Sequence, residues 1–110
     1  MKDNKLIAEF MGFKQPHPEY PNTTYWYKEL PNGRLETLAI LNYHISWDWL
    51  MPVVEKIEEH GYGFERNKQE DGDWQCLITK GYDIVYQKFA DCSIDATYDA
   101  VVEFIKQHNK

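Results

Sequence analysis

The chain has 110 residues, of which 43% are hydrophobic and 15% aromatic, with a formal net charge of −6. The length indicates one domain over residues 1–110, and the apolar content excludes a disordered chain. The acidic charge excludes a basic phosphate-binding surface, so we expect no direct nucleic-acid binding.

The first 21 residues predict a short helix followed by a loop. A helix is expected over about residues 4–11, between Asp3, which suits an N-cap, and Gly12, which suits a helix end. Three prolines within residues 16–21 exclude a helix or a central strand there. We therefore expect an extended loop.

A possible hairpin follows this loop. The segment 25–30 has the composition of a strand and precedes Asn32-Gly33, a pair that favours the positive φ angles of a tight turn. The segment 34–39 would be the returning strand. A helical turn over the same residues is an open alternative, because their apolar spacing fits that period too.

The second predicted helix starts at Ser46, a good N-cap residue, and ends at His60 before Gly61. Pro52 removes one backbone hydrogen bond from such a helix, so a tight or kinked turn is expected over residues 47–50. One face of this helix has the apolar spacing i, i+3, i+4, i+7. Its residues are Leu50, Val53, Val54 and Ile57.

Three strands are predicted next, at about 62–66, 73–79 and 83–89. A polar loop at 67–72 and a tight turn at Lys80-Gly81 separate them, which indicates an antiparallel meander. Along the third strand, Ile84 and Tyr86 alternate with Val85 and Phe89.

The last predicted helix opens at Ile94, with Asp95 as its cap, and runs to about His108. It repeats the apolar spacing of the second helix at Tyr98, Val101, Val102 and Ile105. The order of elements is helix, possible hairpin, helix, three strands, helix. This order predicts an α+β fold, in which amphipathic helices pack on a small antiparallel sheet.

The densest cluster of functional side chains precedes and opens the second helix. It comprises Tyr43, His44, Ser46, Trp47, Asp48 and Trp49. His44 oriented by Asp48 would act as a general base, and the rings would stack on a ligand. The structural interpretation is favoured. In it Ser46 caps the helix, Asp48 interacts with the helix dipole, and the aromatic rings are core or edge.

A second aromatic cluster consists of Tyr25, Trp26 and Tyr27. Successive strand residues face opposite sides, so one set of these rings should fill the core and the other should be partly exposed. Exposed Trp and Tyr are favoured in protein contacts. We therefore expect an unknown protein partner, or self-association, in this region.

Metal and cofactor motifs are missing. The four histidines have no helical ligand spacing, and the two cysteines, Cys76 and Cys92, lack the spacing of a zinc or redox pair. His60 and His108 are expected near helix C-termini, where a cation is favoured. No metal and no cofactor is expected, and the thiols should be free, with at least one buried.

No segment has the length and hydrophobicity of a membrane span or the pattern of a signal peptide. We therefore expect no membrane association and a cytoplasmic location. No phosphate-binding glycine loop, nucleophile elbow or metalloprotease motif is found either. Enzymatic activity is the less favoured expectation.

Three segments of the chain carry a resemblance to a known group of proteins. They read NKLIAEFMG at 4–12, YHISWDWLMPVVEKI at 43–57 and DATYDAVV at 95–102. They resemble small uncharacterised proteins of bacteriophages, prophages and related bacterial genomes, a group similar to the phage ABA sandwich domain. The resemblance implies a sheet sandwiched between helices. It implies no activity, so no functional residue follows from it.

The leading functional hypothesis is a non-enzymatic protein-binding or accessory module of phage or mobile-element type. One alternative is a small-ligand-binding protein or enzyme that uses His44, Asp48 and the surrounding rings. Another is a weakly acidic nucleic-acid mimic, which requires a continuous acidic surface. That surface would consist of Glu55, Glu58, Glu59, Asp95, Asp99 and Glu103.

Overall fold

The computed structural model describes residues 3–15, 26–38 and 40–108. Over these residues the chain has an α+β fold with three helices, a two-stranded hairpin and a three-stranded antiparallel meander. The predicted fold class is confirmed. Two compact units are present, Met1–Asn42 and Tyr43–Lys110. None of the helices in the described residues is long and apolar enough to cross a membrane.

The first unit begins with helix α1, Asp3–Phe10. Ile7 and Ala8 are fully buried, as expected for one apolar face. Asn4 is also buried, and its side-chain amide donates a hydrogen bond of 2.9 Å to the carbonyl oxygen of Leu41. This bond offsets the desolvation of the amide and fixes the segment near Leu41 against α1.

The hairpin consists of β1, Trp26–Glu29, and β2, Leu35–Leu38, paired antiparallel. The strand interpretation of residues 34–39 is confirmed over β2. Only glycines have positive φ among the described residues, so the expected turn geometry applies to Gly33 (φ +84°) and not to Asn32. Asn32 contributes through its side-chain oxygen, which accepts a hydrogen bond from the Arg34 N–H.

The second unit contains two helices and the meander. Its elements are α2, Trp47–Glu59; β3, Gly63–Lys68; β4, Trp74–Lys80; β5, Asp83–Ala90; and α3, Ser93–His108. The strand order is β3-β4-β5 with antiparallel pairing throughout. The three predicted strands are confirmed to within two residues at each end.

All three helix starts differ from the predictions, and in α1 the predicted cap Asp3 is itself the first helical residue. The kinked turn over residues 47–50 was wrong, because α2 is helical from Trp47 and contains Pro52, which removes a single helical N–H donor. Ser46 has the position and extended backbone of an N-cap, but within the described residues its side chain makes no capping hydrogen bond. Asp95 was wrong as a cap. It lies in the first turn of α3, which starts at Ser93.

The apolar stripes of α2 and α3 face the core, as predicted. All eight residues are buried: Leu50, Val53, Val54, Ile57, Tyr98, Val101, Val102 and Ile105. Both helices cover the same face of the meander. On that face Cys76 lies beside Thr97 of α3, and its strand partner Arg66 contacts Trp47 of α2.

A β-bulge in β5 changes the predicted alternation of that strand. Tyr86 pairs with Ile78, but Ile84 pairs with Thr79, so Val85 is the extra residue. Ile78 and Thr79 point to opposite faces, and paired residues share a face. Ile84 and Tyr86 therefore lie on opposite faces, and their predicted common side was wrong.

Candidate functional site

The aromatic cluster before and within α2 is partly buried. Tyr43 is 3% exposed, and its ring meets the half-buried Trp49 ring edge-on, with centroids 5.2 Å apart. Such an edge-to-face pair adds about 0.5–1.5 kcal/mol beyond the area that it buries. Tyr43 and Trp49 therefore stabilise the start of α2, as the structural interpretation predicts.

His44 is half-buried, and its ring lies 6.3 Å from that of Tyr98 on α3, at an interplanar angle of 68°. Asp48 is exposed in the first turn of α2, where the positive end of the helix dipole favours a carboxylate. The ring contact with Tyr98 gives His44 a packing role. The pairing of His44 with Asp48 stays a prediction.

Trp47 is the most accessible ring of this cluster, with 36% of its surface exposed. The guanidinium of Arg66 lies 5.2 Å from the Trp47 ring centroid, within the range of a cation–π interaction. This contact joins the start of α2 to β3. It also leaves one face of an indole available at the surface.

The second aromatic cluster divides as strand alternation predicts. Trp26 is 7% exposed and belongs to the core of the first unit, while Tyr27 is half-buried. Tyr25 lies outside the described residues. Because Trp26 exposes so little surface, it offers little area for the predicted contact with a partner.

A shallow depression lies beside Tyr27. It has a volume of about 210 Å³ and is lined by Gly12, Lys14, Lys28 and Glu29 as well as Tyr27. The main chains of Lys14 and Tyr27 exchange two hydrogen bonds of 2.8 and 2.9 Å, which fix the relative positions of these two lining residues. Sites for drug-sized ligands measure about 300–1,000 Å³, so this depression suits nothing larger than a small ion or fragment.

The sequence did not single out an exposed apolar surface in the second unit. It lies on the face of the meander opposite α2 and α3, and we call it the open face. Its residues are Leu77, Ile84, Val85 and Phe89. Ile84 is 57% exposed, Val85 42% and Phe89 51%, while Leu77 is buried.

Local geometry explains why these side chains gather. Phe89 pairs with Gln75, and Ile84 pairs with Thr79, so both point away from the helices. The bulge sets Ile84 and Val85 together opposite one residue of β4. β5 carries apolar residues on both faces, although helices on one side of a sheet can cover only one face. This pattern indicates an exposed apolar surface, which was missed in the prediction from sequence.

Polar residues border the open face, and one of them, Gln87, lies within it between Val85 and Phe89. Glu65 pairs with Leu77 from β3, Gln87 pairs with it from β5, and Gln75 pairs with Phe89. An apolar patch with a polar rim is typical of a protein-binding surface. The opposite edge strand, β3, carries the charged residues Glu65, Arg66 and Lys68, which disfavour pairing with another strand.

The described residues include no group of three or more His, Cys, Asp or Glu side chains arranged to hold a metal ion. Of the two cysteines, Cys76 is buried and Cys92 exposed, and both are free thiols, as predicted. No family model matches this chain. Searches among curated proteins and solved structures likewise find no significant match. The site must therefore be interpreted from its own chemistry.

Proposed function

We propose that this protein is a non-enzymatic binding module that contacts another protein through the open face. The main supporting observation is the exposure of Ile84, Val85 and Phe89 on one face of β5, with Gln87 between Val85 and Phe89. Water around three exposed apolar side chains is released when a partner covers them, which favours association. The acidic net charge of −6 keeps the free protein soluble and favours a partner with a basic rim.

The proposed mode of binding combines side chains with main chain. Among the described strands, β5 pairs with β4 alone, so its outer N–H and C=O groups form an edge. An extended segment of a partner would add to this edge by main-chain hydrogen bonds. Phe89 and Val85 would then supply the side-chain contacts that select the partner.

A phage or mobile-element origin is part of the proposal and rests on the resemblance of residues 4–12, 43–57 and 95–102. The small-ligand or enzyme alternative, which uses His44 and Asp48, gains no support from the geometry described above. The nucleic-acid mimic stays a hypothesis, and the open face gives it no support because that surface is apolar.

The test compares matched threonine substitutions, since threonine keeps a high strand propensity. Purified parent, V85T, F89T and L35T proteins serve as baits for host-cell extracts, and captured proteins are identified by mass spectrometry. Leu35 is the control, because it is 46% exposed on the hairpin of the first unit. Circular dichroism melts establish that all variants are folded.

The proposal expects a protein that the parent and L35T capture and that V85T and F89T lose. Sedimentation of the pure proteins over a range of concentrations distinguishes a second copy from a different partner. Equal capture by all four baits would contradict the proposal, as would capture lost only in L35T.

A further inference from the structure

The C-terminal ends of α2 and α3 bring two histidines together. His60 is the C-cap residue of α2, and His108 is the last residue of α3. Their ring centroids lie 6.3 Å apart with an interplanar angle of 88°, and both residues are exposed. No local spacing in the sequence reveals this pair, because a whole meander separates the two residues.

The His60 ring is oriented by its own helix. Its Nδ1 lies 2.9 Å from the carbonyl oxygen of Lys56. A carbonyl oxygen only accepts, so Nδ1 carries the hydrogen and Nε2 carries the lone pair. Metal-binding histidines commonly donate their second ring nitrogen to a carbonyl or carboxylate in this way, which fixes the tautomer that binds the metal.

The His108 ring is held by the core. It stacks on Phe104 with centroids 4.5 Å apart and an interplanar angle of 21°, and the centroid of the nearly perpendicular Tyr62 ring lies 6.1 Å away. Phe104 is fully buried. A ring stacked on a fixed neighbour has less freedom to lose when it binds an ion.

The electrostatic setting is mixed but permits a cation. Two helix C-termini meet here, and each carries a partial negative charge. Lys80 lies with its Nζ 5.1 Å from the Tyr62 ring, and Lys56 and Lys106 are in the last turns of the two helices. Binding at this place must therefore come from coordination bonds to nitrogen and not from charge alone, which favours ions that prefer imidazole.

We propose that His60 and His108 form a two-imidazole site for a divalent ion of the zinc, nickel or copper(II) type. Zinc–nitrogen bonds of about 2.0–2.1 Å with tetrahedral geometry place two ring centroids about 5 Å apart, so binding closes the pair by about 1 Å. With two protein ligands, water fills the other positions, and the ion exchanges readily. This site is independent of the proposed open face.

A bound ion would tie the end of α2 to the end of α3. Because the ion binds the folded state, in which the two rings are adjacent, it raises the melting temperature by an amount that increases with ion concentration. Magnesium prefers oxygen ligands and should have no such effect. A rise in the melting temperature with zinc but not with magnesium therefore indicates coordination by imidazole, and not a general screening of charge by divalent ions.

The experiment is calorimetric titration of the full chain carrying C92S, since the exposed thiol of Cys92 would otherwise compete for zinc. Zinc chloride is the probe and magnesium chloride the control ion. H60Q and H108Q remove one ligand each. Q107A is the control variant, because it changes an exposed neighbour in the same turn of α3.

The proposal expects one zinc ion per chain, no magnesium binding, and unchanged affinity in Q107A. H60Q and H108Q should each weaken zinc binding at least as much as the roughly 10-fold to 100-fold that loss of a supporting hydrogen bond costs. Each should also abolish the zinc-dependent rise in melting temperature. A parent that binds no zinc, or histidine variants that bind it as tightly as the parent, would overturn the proposal.

Discussion

The thiol of Cys76 on β4 lies beside the hydroxyl of Thr97 on α3 inside the core, where neither residue is exposed to solvent. The Thr97 hydroxyl donates its hydrogen to the carbonyl oxygen of Ser93 at 2.9 Å. The contact between Cys76 and Thr97 lies where the sheet meets the helix that covers it.

Replacing Thr97 with valine should lower the free energy of unfolding by about 1–2 kcal/mol. Valine keeps the shape but removes the buried hydroxyl that donates to the Ser93 carbonyl and lies beside the Cys76 thiol. Urea denaturation of the parent and T97V measures the difference. T37V is the control, because Thr37 is exposed on β2 and its loss should change stability little. Equal stability of T97V and the parent would show that the bond adds nothing net.

Stability should fall at alkaline pH in a way that depends on Cys76. Burial raises the pKa of this thiol, an effect that the Thr97 hydrogen bond and the charge of Arg66 oppose. The thiol ionises at about pH 8.5 in the unfolded chain and at a higher pH in the folded chain. Between these two pKa values the unfolded state binds fewer protons than the folded state, so the free energy of unfolding falls as the pH rises. The contribution of the neutral Cys76 thiol to the free energy of unfolding is complete below about pH 8.5 and is lost as the pH rises through the pKa of the folded state.

The measurement is urea denaturation of the parent and C76A at a series of pH values from neutral to alkaline. The stability of the parent should decline more steeply than that of C76A. Burial also raises the pKa of Tyr86, but that group is present in both proteins and cancels in the difference. Parallel curves would mean that Cys76 ionises equally well in the folded and unfolded chains.

A carboxylate placed in either apolar stripe should unfold the second unit. Val54 is 2% exposed and Val102 6%, so V54D or V102D buries a charge with no partner. The cost should be several kcal/mol, roughly what other buried unpaired charges cost. Thermal melts followed by circular dichroism check it, with E58A on the exposed face of α2 as the control. Variants that melt like the parent would refute the burial of these stripes.

The close approach of β3 to β4 at Gly63 predicts a coupled pair of substitutions. A Cβ at Gly63 would lie 2.9 Å from the Oγ1 of Thr79, its strand partner. G63A should therefore destabilise the protein, while G63A in a T79A background should cost little. A double-mutant cycle in urea measures the coupling. An equal cost of G63A in both backgrounds would exclude a steric origin.

Regular elements could be predicted because their signals are local. The stripes of α2 and α3 follow from spacing alone, and every stripe residue is buried. Turns at Gly33 and Gly81 follow from the need for a positive φ angle. The start of α2 was harder, since Pro52 suggested a kink that tertiary packing of the surrounding stripe overrides.

Features set by tertiary contacts could not be predicted. The bulge that places Ile84 with Val85 depends on strand register, which no residue type in β5 specifies. The approach of His60 to His108 depends on where two helices end in space. Strand alternation predicted that Trp26 and Tyr27 face opposite sides. It could not show that exposed apolar side chains also lie on β5.

The most direct test of the open face is site-specific photocrosslinking in living cells. A photoreactive phenylalanine analogue replaces Phe89 in one protein and the similarly exposed Leu35 in another, and products formed on irradiation are resolved by mass. A discrete protein adduct is expected at position 89, with no matching adduct at position 35. Absence of an adduct at position 89, or the same adduct at both positions, would contradict a protein-binding role for this surface.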